Sequence, residues 1–331
     1  MIRAAMGKEA GGIRALRPAS DLGQLADLIE SAFGEELTDG GGRVLHELRL
    51  LHRLGPLNVF FTGSSSDVDG ILTGFVWEDD GRIVGNVTVN HPSGYLQRWQ
   101  ISNVAVLDEF RGQGIGRRLV DAALDLILRQ GGQTAYLFVR DNNPVAIHLY
   151  QEIGFAEVDR TTELRYTRPA VCNPRTRTGQ LRPLGAGEGE ALYQLVMRAA
   201  GPGQQWLSPA LKSQYAVSGE ERFLRRVQSL FTGELETRWG FFSQDRLDAG
   251  LILRATRQWN RGPHQVRLWV RPEQRGAIEE TLAGELVAML GAEAQRLTHV
   301  ALPACEERAS EALVQHGFHR HRTLILMKLD L

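Results

Sequence analysis

The spacing of apolar residues in the first half of the chain predicts alternating helices and strands. Apolar residues recur at helical spacing over Asp21–Phe33. Asp21 is predicted to cap this helix, with Gln24 completing a capping box. A second helix is predicted over Arg43–Leu54, and the runs on either side of Asp79-Asp80-Gly81 predict a β-hairpin. This mixture predicts an α/β protein with a mixed sheet.

The stretch from residue 103 to residue 129 predicts a strand, a glycine-rich turn and a helix in direct succession. Asn103–Val106 reads as a buried strand, and the octet Arg111–Arg118 leads into an apolar helical stripe. Gly114 and Gly116 allow a ligand to approach the backbone closely, and the first N–H groups of a helix attract anions. The pattern therefore predicts a phosphate-binding loop with arginines at its rim.

Two motifs occupy this part of the chain. Arg-x-x-Gly-x-Gly spans Arg111–Gly116, and Asn-x-x-Ala-x-x-Leu-Tyr-x-x-x-Gly-Phe spans Asn143–Phe155, after the predicted strand Ala135–Val139. Through these motifs the chain resembles the GNAT superfamily of N-acetyltransferases. The resemblance implies the α+β mixed-sheet GNAT fold and acetyl-CoA as the acyl donor, with coenzyme A as product. A dinucleotide site is not indicated, because the third glycine of its fingerprint is missing.

The resemblance also assigns roles to residues. The backbone of Val104–Val106 is expected to bind the pantetheine arm and to offer an N–H to the developing oxyanion, where this strand splays from Ala135–Val139. Tyr150 matches the general acid that protonates the leaving thiolate, although it also fits a packing role. The cofactor-binding residues implied are Val104, Ala105, Val106, Arg111, Gly112, Gln113, Gly114, Ile115, Gly116, Arg117 and Asn143.

No general base is identified by the motifs. In ribosomal-protein N-terminal acetyltransferases of this family a glutamate lies five residues before the motif asparagine, and here that residue is Phe138. Glu78, Asp79 and His91 remain candidates, each of which also fits a solvated turn. Asn103 is a candidate for orienting a water.

The acceptor side is less well marked. Trp77, Tyr95 and Trp99 are predicted either to form an aromatic wall for the acceptor or to pack in the core. His148 is expected on the surface of its helix.

Composition limits the classes of protein to be considered. The 331 residues suffice for two domains, and 43% hydrophobic with 23% charged residues predicts a soluble globular protein. A net charge of −1 predicts no general electrostatic attraction to nucleic acid or to an anionic membrane. Cys172 and Cys305 fit neither a metal site nor a disulfide framework. No run of signal-peptide or membrane-spanning length is found, so a cytoplasmic location is expected.

The second half of the chain repeats the first. Three short matches recur at a nearly constant separation: Leu16-Arg17-Pro18 with Leu181-Arg182-Pro183, Arg111-Gly112 with Arg275-Gly276, and Gly154-Phe155 with Gly317-Phe318. Duplication of one fold is therefore predicted. The expected domains are a catalytic one over residues 13–168, closed by a strand after Phe155, and a degenerate one over residues 178–331, joined by the linker Pro169–Arg177.

The second copy is predicted to be non-catalytic. Ile278 and Glu280 replace the glycines of the loop, with Glu279 beside them, and carboxylates there would repel a pyrophosphate. At the second motif, Leu313 replaces the tyrosine and Glu306 the asparagine. This copy is expected to complete the acceptor cleft or to stabilise the first copy.

The sequence thus predicts an acetyl-CoA-dependent N-acetyltransferase acting on a primary amine of a small molecule or peptide. Direct attack in a ternary complex is expected, because the central stretch has no cysteine to carry an acetyl group. A non-catalytic acyl-CoA-binding sensor and a structural interaction module are the alternatives. The expected assembly is a monomer with pseudo-dimeric domains or a homodimer.

Overall fold

A computed structural model describes residues 11–33, 73–92, 97–167, 179–185, 187–216, 234–256, 263–290 and 297–331. The helix predicted over residues 43–54, the linker over 169–177, Tyr95 and Cys172 lie outside these residues. The chain divides into two compact units. The first unit comprises residues 1–138, 148–156 and 327–331, and the second comprises residues 139–147 and 157–326.

The first unit contains a sheet of mixed strand direction with helices packed on it. Its strands run in the order β1-β2-β3-β4-β5, antiparallel up to β4, and β4 is parallel to β5. The elements are β1 (Gly12–Ala15), α1 (Pro18–Phe33), β2 (Gly74–Asp79), β3 (Arg82–Asn90), β4 (Arg98–Val106), α2 (Ile115–Arg129), β5 (Thr134–Arg140) and the last part of α3 (Pro144–Ile153).

Helix α1 begins earlier than the sequence pattern predicts. It starts at Pro18, so Asp21 lies inside the first turn and is not the cap. The buried Asp21 carboxylate accepts hydrogen bonds from the Arg17 N–H at 2.7 Å and from the Arg14 guanidinium at 2.6 Å. Gln24 does not close a capping box, because its Oε1 accepts from the Ile83 N–H at 2.9 Å. Gln24 thus ties the helix to the β2–β3 hairpin.

The second unit repeats this order of elements. Its sheet has the order β6-β11-β10-β9-β8-β7, in which β10 and β11 are parallel. The elements are β6 (Ala156–Tyr166), β7 (Leu181–Pro183), α4 (Gly189–Ala199), α5 (Pro202–Leu207), α6 (Lys212–Tyr215), β8 (Glu234–Ser243), β9 (Arg246–Thr256), β10 (His264–Val270), α7 (Glu279–Leu290), β11 (Thr298–Pro303), α8 (Glu307–Gln315) and β12 (His319–Asp330).

The repetition confirms two tandem copies of one mixed-sheet fold. In both copies a strand, a helix, two hairpin strands and a further strand lead to a 3-10 turn, a helix, a parallel strand and a final helix and strand. The 3-10 turns are Asp108–Phe110 and Pro272–Gln274. Each unit has its own buried apolar core.

The last strands of the two copies are exchanged. The sequence predicts that β6 closes the first unit's sheet. In the structure β6 instead pairs antiparallel with β11, with Tyr166 opposite Thr298. The first unit instead receives the end of β12, where the Leu331 N–H donates to the Gln133 carbonyl at 2.8 Å. Because the two copies end in equivalent strands, either strand can fill either edge. Each compact unit therefore combines residues from separate stretches of the chain.

Among the described helices, none combines the length and the hydropathy that crossing a lipid bilayer requires.

Candidate active site

The glycine-rich loop joins the end of β4 to the start of α2. Gly112 and Gly114 have φ angles of +77° and +75°, in the left-handed region that favours glycine. Gly114 is the N-cap residue of α2, and no side chain caps this helix. A Cβ on Gly112 or Gly114 would meet no atom within 4 Å. The loop therefore presents an open helix N-terminus, which favours binding of an anion.

Strands β4 and β5 separate beside this loop. Their parallel pairing joins Arg98–Gln100 to Thr134–Tyr136. Strand β4 then continues to Val106, and β5 continues through Phe138 within the first unit. Val104–Val106 therefore lie in the part of β4 that β5 does not pair.

The arginines of the loop are partly engaged by acidic neighbours. The Arg111 guanidinium lies 2.8 Å from the Asp108 carboxylate, and its Nε donates to the Val106 carbonyl at 3.3 Å. Arg117 contacts Glu152 of α3 at 3.3 Å. Arg118 lies over the ring of Trp77, at 5.5 Å from its centroid.

Tyr150 is buried in the first unit. Its ring packs edge-on against Phe155, with centroids 5.9 Å apart. Burial raises the pKa of the Tyr150 phenol to about 12. The phenol thus stays protonated throughout the neutral pH range, as a proton donor must. The neighbouring Leu149 lies close to the loop. A Cβ added to Gly116 would lie 3.7 Å from the Leu149 Cδ2.

Asn143 directly precedes helix α3, and His148 lies near the middle of that helix. The Asn143 Oδ1 accepts a hydrogen bond from the Ala146 N–H at 3.1 Å, so the side chain caps the helix. Asn143 belongs to the second compact unit. His148 is exposed and contacts Glu152 at 3.2 Å, which confirms its expected surface position.

The candidate bases and aromatic residues do not converge on one place. The Glu78 carboxylate is held by the Arg14 guanidinium. Trp99 packs against His91, with ring centroids 4.5 Å apart, near the start of β4. Trp77 pairs with Gly85, which pairs with Val106 at the other end of β4. Since a strand rises about 3.3 Å per residue, roughly 20 Å of β4 separates the two tryptophans, and they form no common wall.

A polar network occupies the middle of the β3–β4 pairing. Asn103 has a φ of +50°, unusual for a residue other than glycine. Asn86 and Thr88, both 0% exposed, bond to Asn103 from β3. Sequence reasoning did not single out Asn86 or Thr88. Polar residues at alternate positions of an otherwise apolar strand were the available signal.

The equivalent loop of the second unit is filled by its own carboxylate. Gly276 keeps a positive φ of +89°, whereas Ile278 does not adopt one. The Glu279 carboxylate, only 5% exposed, accepts hydrogen bonds from the Gly276 N–H at 2.7 Å and from the Ile278 N–H at 3.2 Å. The N–H groups at this helix start are thus bonded by a protein side chain and not by a ligand.

A second carboxylate lies at the corresponding strand end. Parallel pairing of β10 with β11 joins His264–Val266 to Thr298–Val300, while β10 runs on to Val270. The Glu306 carboxylate, 1% exposed, accepts from the Val270 N–H at 3.1 Å and from Arg275 at 2.9 Å. Burial raises the pKa of Glu306 to about 7, against the opposing effect of Arg275. Sequence reasoning treated Glu279 as a repulsive group and Glu306 only as a replacement for the motif asparagine, and it missed the contacts of both with the backbone.

Comparison with known proteins identifies relatives of the region around the loop. Residues 46–155 match the model of the Acetyltransferase (GNAT) family. N-alpha-acetyltransferase 30 of Schizosaccharomyces pombe is 33% identical over 88 residues, which are 26% of this chain and 59% of that protein. The chain thus spans little more than half the length of this curated relative.

Two solved structures resemble nearly the whole chain in fold. A GCN5-related N-acetyltransferase from Sphaerobacter thermophilus has a TM-score of 0.63 at 18% identity, covering 97% of this chain and 95% of that one. A tandem GNAT protein from the clavulanic acid biosynthesis pathway has a TM-score of 0.52 at 17% identity, with 96% and 98% covered. The tandem arrangement of this fold therefore has a solved counterpart.

Proposed function

Because the chain belongs to the Acetyltransferase (GNAT) family, we propose that its first copy transfers an acetyl group from acetyl-CoA to a primary amine of a small molecule or peptide. The observation that carries this proposal is the loop between β4 and α2. Its two left-handed glycines and uncapped helix start leave N–H groups for an anion. They lie beside the part of β4 that β5 leaves unpaired.

The residues of this copy fit the demands of holding acetyl-CoA. The loop from Arg111 to Arg117 would bind the pyrophosphate through the N–H groups of its glycines and of the helix start. The backbone of Val104–Val106, on the side of β4 that β5 leaves unpaired, would bind the pantetheine as an added strand does. For Asn143, whose Oδ1 caps helix α3, a contact with the pantetheine stays a prediction from the motif alone.

The proposed reaction is direct attack of the neutral amine on the thioester. A backbone N–H of β4 would stabilise the oxyanion, and the protonated phenol of Tyr150 would give its proton to the departing thiolate. No general base is assigned. Glu78 is engaged by Arg14, and Phe138 stands where some relatives of the family carry a glutamate. Because neither residue 78 nor residue 138 offers a free carboxylate, we expect water to take up the amine proton.

The second copy is proposed to be non-catalytic. Glu279 and Glu306 bond the N–H groups that correspond to those proposed to bind acetyl-CoA in the first copy. An anionic ligand would have to displace both carboxylates and would be repelled by them. Leu313, in place of the tyrosine, offers no proton.

The proposal is tested by calorimetric titration of acetyl-CoA into the full chain, followed by a thiol-release assay with a panel of primary amines. One binding site per chain and coenzyme A release that depends on an amine are expected. One site without release for any amine would favour an acyl-CoA sensor. No binding would leave an interaction module, and two sites would contradict an inactive second copy.

Tyr150→Phe separates the enzyme from the sensor more sharply. Loss of the phenol proton is expected to lower kcat by about 100-fold, since general acids contribute 100-fold or more, while acetyl-CoA affinity changes little. The change is measured by steady-state kinetics and calorimetry on the same preparation. Phe155→Leu, which alters the packing of the Tyr150 ring but keeps its hydroxyl, is the control and should retain most of kcat. An unchanged kcat in Tyr150→Phe would assign Tyr150 to packing alone.

A further inference from the structure

The β3–β4 pairing contains a bulge immediately before Val104–Val106. Asn86 pairs with Ala105 and Thr88 with Ser102, so one residue on β3 faces the two residues Asn103 and Val104 on β4. Asn103 takes the left-handed conformation of such a bulge, with a φ of +50°. Backbone in this conformation is costly for a residue other than glycine and persists only where its surroundings hold it.

Side chains from β3 hold this bulge. The Asn86 Nδ2 donates to the Asn103 carbonyl at 3.0 Å, and the Asn103 Nδ2 donates to the Thr88 Oγ1 at 2.9 Å. Thr88 in turn donates to the Ser102 carbonyl at 3.1 Å. Asn86 and Thr88 are fully buried, which strengthens such contacts because water does not compete for them.

The contact from Asn86 determines the direction of the next N–H. The Asn103 carbonyl and the Val104 N–H belong to one planar peptide unit, and no described peptide bond is cis. When Asn86 holds the carbonyl on the β3 side, the Val104 N–H points to the opposite side, away from β3. The residue that forms the bulge lacks an ordinary ladder partner, so this direction is otherwise weakly determined.

A second observation marks Asn86 as unusual. Its Oδ1 is buried and accepts no hydrogen bond from the described part of the chain. Buried acceptors without a partner are rare and costly, so apolar packing alone would favour a different side chain here. An asparagine at this point of β3 is best explained by the donor that it directs at Asn103.

We propose that Asn86 is a positioning residue, which fixes the Asn103–Val104 peptide plane and thereby aims the Val104 N–H at the thioester oxygen of acetyl-CoA. This inference rests on the proposed function. Thr88 bonds to the Asn103 side chain, whereas Asn86 bonds to the Asn103 carbonyl and so acts on the peptide plane itself. The positioning role also explains why a left-handed asparagine is retained within the central strand.

The test uses acetyl-CoA labelled with ¹³C at the thioester carbonyl, which needs no knowledge of the amine. A hydrogen bond to that oxygen moves the ¹³C resonance downfield, and the full chain saturated with labelled acetyl-CoA is expected to show this shift. Asn86→Asp and Asn86→Leu, which remove the donor and keep similar volume, are expected to lose it. Their acetyl-CoA Kd should change by less than about threefold, because one peptide direction contributes little to ground-state binding.

Asn90→Ala is the matched control. Asn90 lies on the same strand, and its amide reaches the Ser102 hydroxyl at 3.3 Å rather than the Asn103 carbonyl. This variant should keep the downfield shift. If both Asn86 variants fail to fold, Asn86→Ala provides the second test, because it removes the same donor without adding a charge or a branched side chain. Its shift should also be lost.

The outcomes separate the two proposals. A wild-type shift retained in a folded Asn86 variant would overturn the positioning role and leave the proposed function intact. Binding of acetyl-CoA by the wild type without any downfield shift would do the same. Absence of acetyl-CoA binding would overturn both. Once an amine is identified, kcat of the Asn86 variants should fall by about 10- to 100-fold with KM for acetyl-CoA nearly unchanged.

Discussion

The two strand–turn–helix loops of this chain begin alike and end differently. Both follow a 3-10 turn, and the glycine after the arginine has a φ of +77° at Gly112 and +89° at Gly276. Gly114 then gives the first loop a second left-handed residue and an uncapped helix. In the second loop Ile278 adopts no positive φ, and Glu279 bonds the backbone N–H groups.

The difference shows how a duplicated loop can satisfy the hydrogen bonds of its own backbone. N–H groups at a helix start require an acceptor, which is a ligand, water or a side chain. A carboxylate placed there by the chain contributes about 1 kcal/mol of stability and competes with any anionic ligand. Glu306 extends this substitution to the Val270 N–H at the end of β10. The second loop therefore stabilises its own fold, whereas no side chain caps the helix start of the first loop.

Gly116→Glu gives the first helix start the acidic residue that the second copy has at Glu280, and is expected to have the largest effect. A Cβ at Gly116 meets Leu149 at 3.7 Å, an ordinary contact, and an acidic residue in the first turn favours the helix. The variant should be as stable as the wild type or about 0.5–1 kcal/mol more stable. Acetyl-CoA affinity should fall by at least about 100-fold through repulsion of its phosphates, as measured by calorimetry.

Gly12→Glu is the control for this substitution. It adds the same charge on β1, where a Cβ would meet no atom within 4 Å, and should leave affinity unchanged. Retained affinity in Gly116→Glu would show that acetyl-CoA does not bind at this loop.

Glu306→Gln is expected to change how stability depends on pH. The folded pKa of Glu306 is about 7, above its ordinary value of 4.5, so between these pH values the native state holds a proton that the unfolded state has released. The free energy of unfolding of the wild type should therefore fall as pH rises through this range and then level off. Relative to Glu306→Gln, which cannot titrate, the loss should be about 2–3 kcal/mol.

The difference in free energy of unfolding between the wild type and Glu306→Gln is measured by urea denaturation at about ten closely spaced pH values between roughly 5 and 8. Glu307→Gln, at the adjacent exposed position, is the control and should follow the wild-type curve. Parallel curves for the wild type and Glu306→Gln would contradict a buried, protonated Glu306.

Glu279→Ala should have the smallest effect of the three. Loss of the capping carboxylate leaves the Gly276 and Ile278 N–H groups without their acceptor and should cost about 1–2 kcal/mol of unfolding free energy. Glu280→Ala, next along the chain at an exposed position, should cost about 0.5 kcal/mol or less. Equal losses in chemical denaturation would show that the Glu279 contacts contribute nothing particular. Calorimetry on Glu279→Ala should still find one acetyl-CoA per chain, because Glu306 remains.

Much of the first copy was predictable because its determinants are local. The loop, the helix that follows it and the strand before it each carry a pattern of glycines or apolar positions that needs no distant partner. The surface position of His148 followed in the same way from helical spacing. The start of α1 was less predictable, since Asp21 and Gln24 bond to distant groups on β1 and on the β2–β3 hairpin.

The candidate site was only partly predictable for the same reason. Asn86 lies on β3 and acts on Asn103 of β4, a contact that depends on the register and the bulge between the strands. Glu78 looked available as a base until its pairing with Arg14 on β1 was seen. The role of Glu279 changed from a repulsive charge to a cap because its carboxylate folds back onto its own loop.

The sequence by itself determined the resemblance to the GNAT family, the duplication, the position of the glycine loop and the loss of its glycines in the second copy. Each of these depends on residue identities at short, ordered spacing. Only the tertiary structure decided which copy receives which final strand. Strands β6 and β12 have the same position in their copies, and local sequence does not select between two equivalent sheet edges. The tertiary structure also decided that carboxylates fill the second loop, because a side chain bonds to whichever N–H groups the folded backbone places beside it.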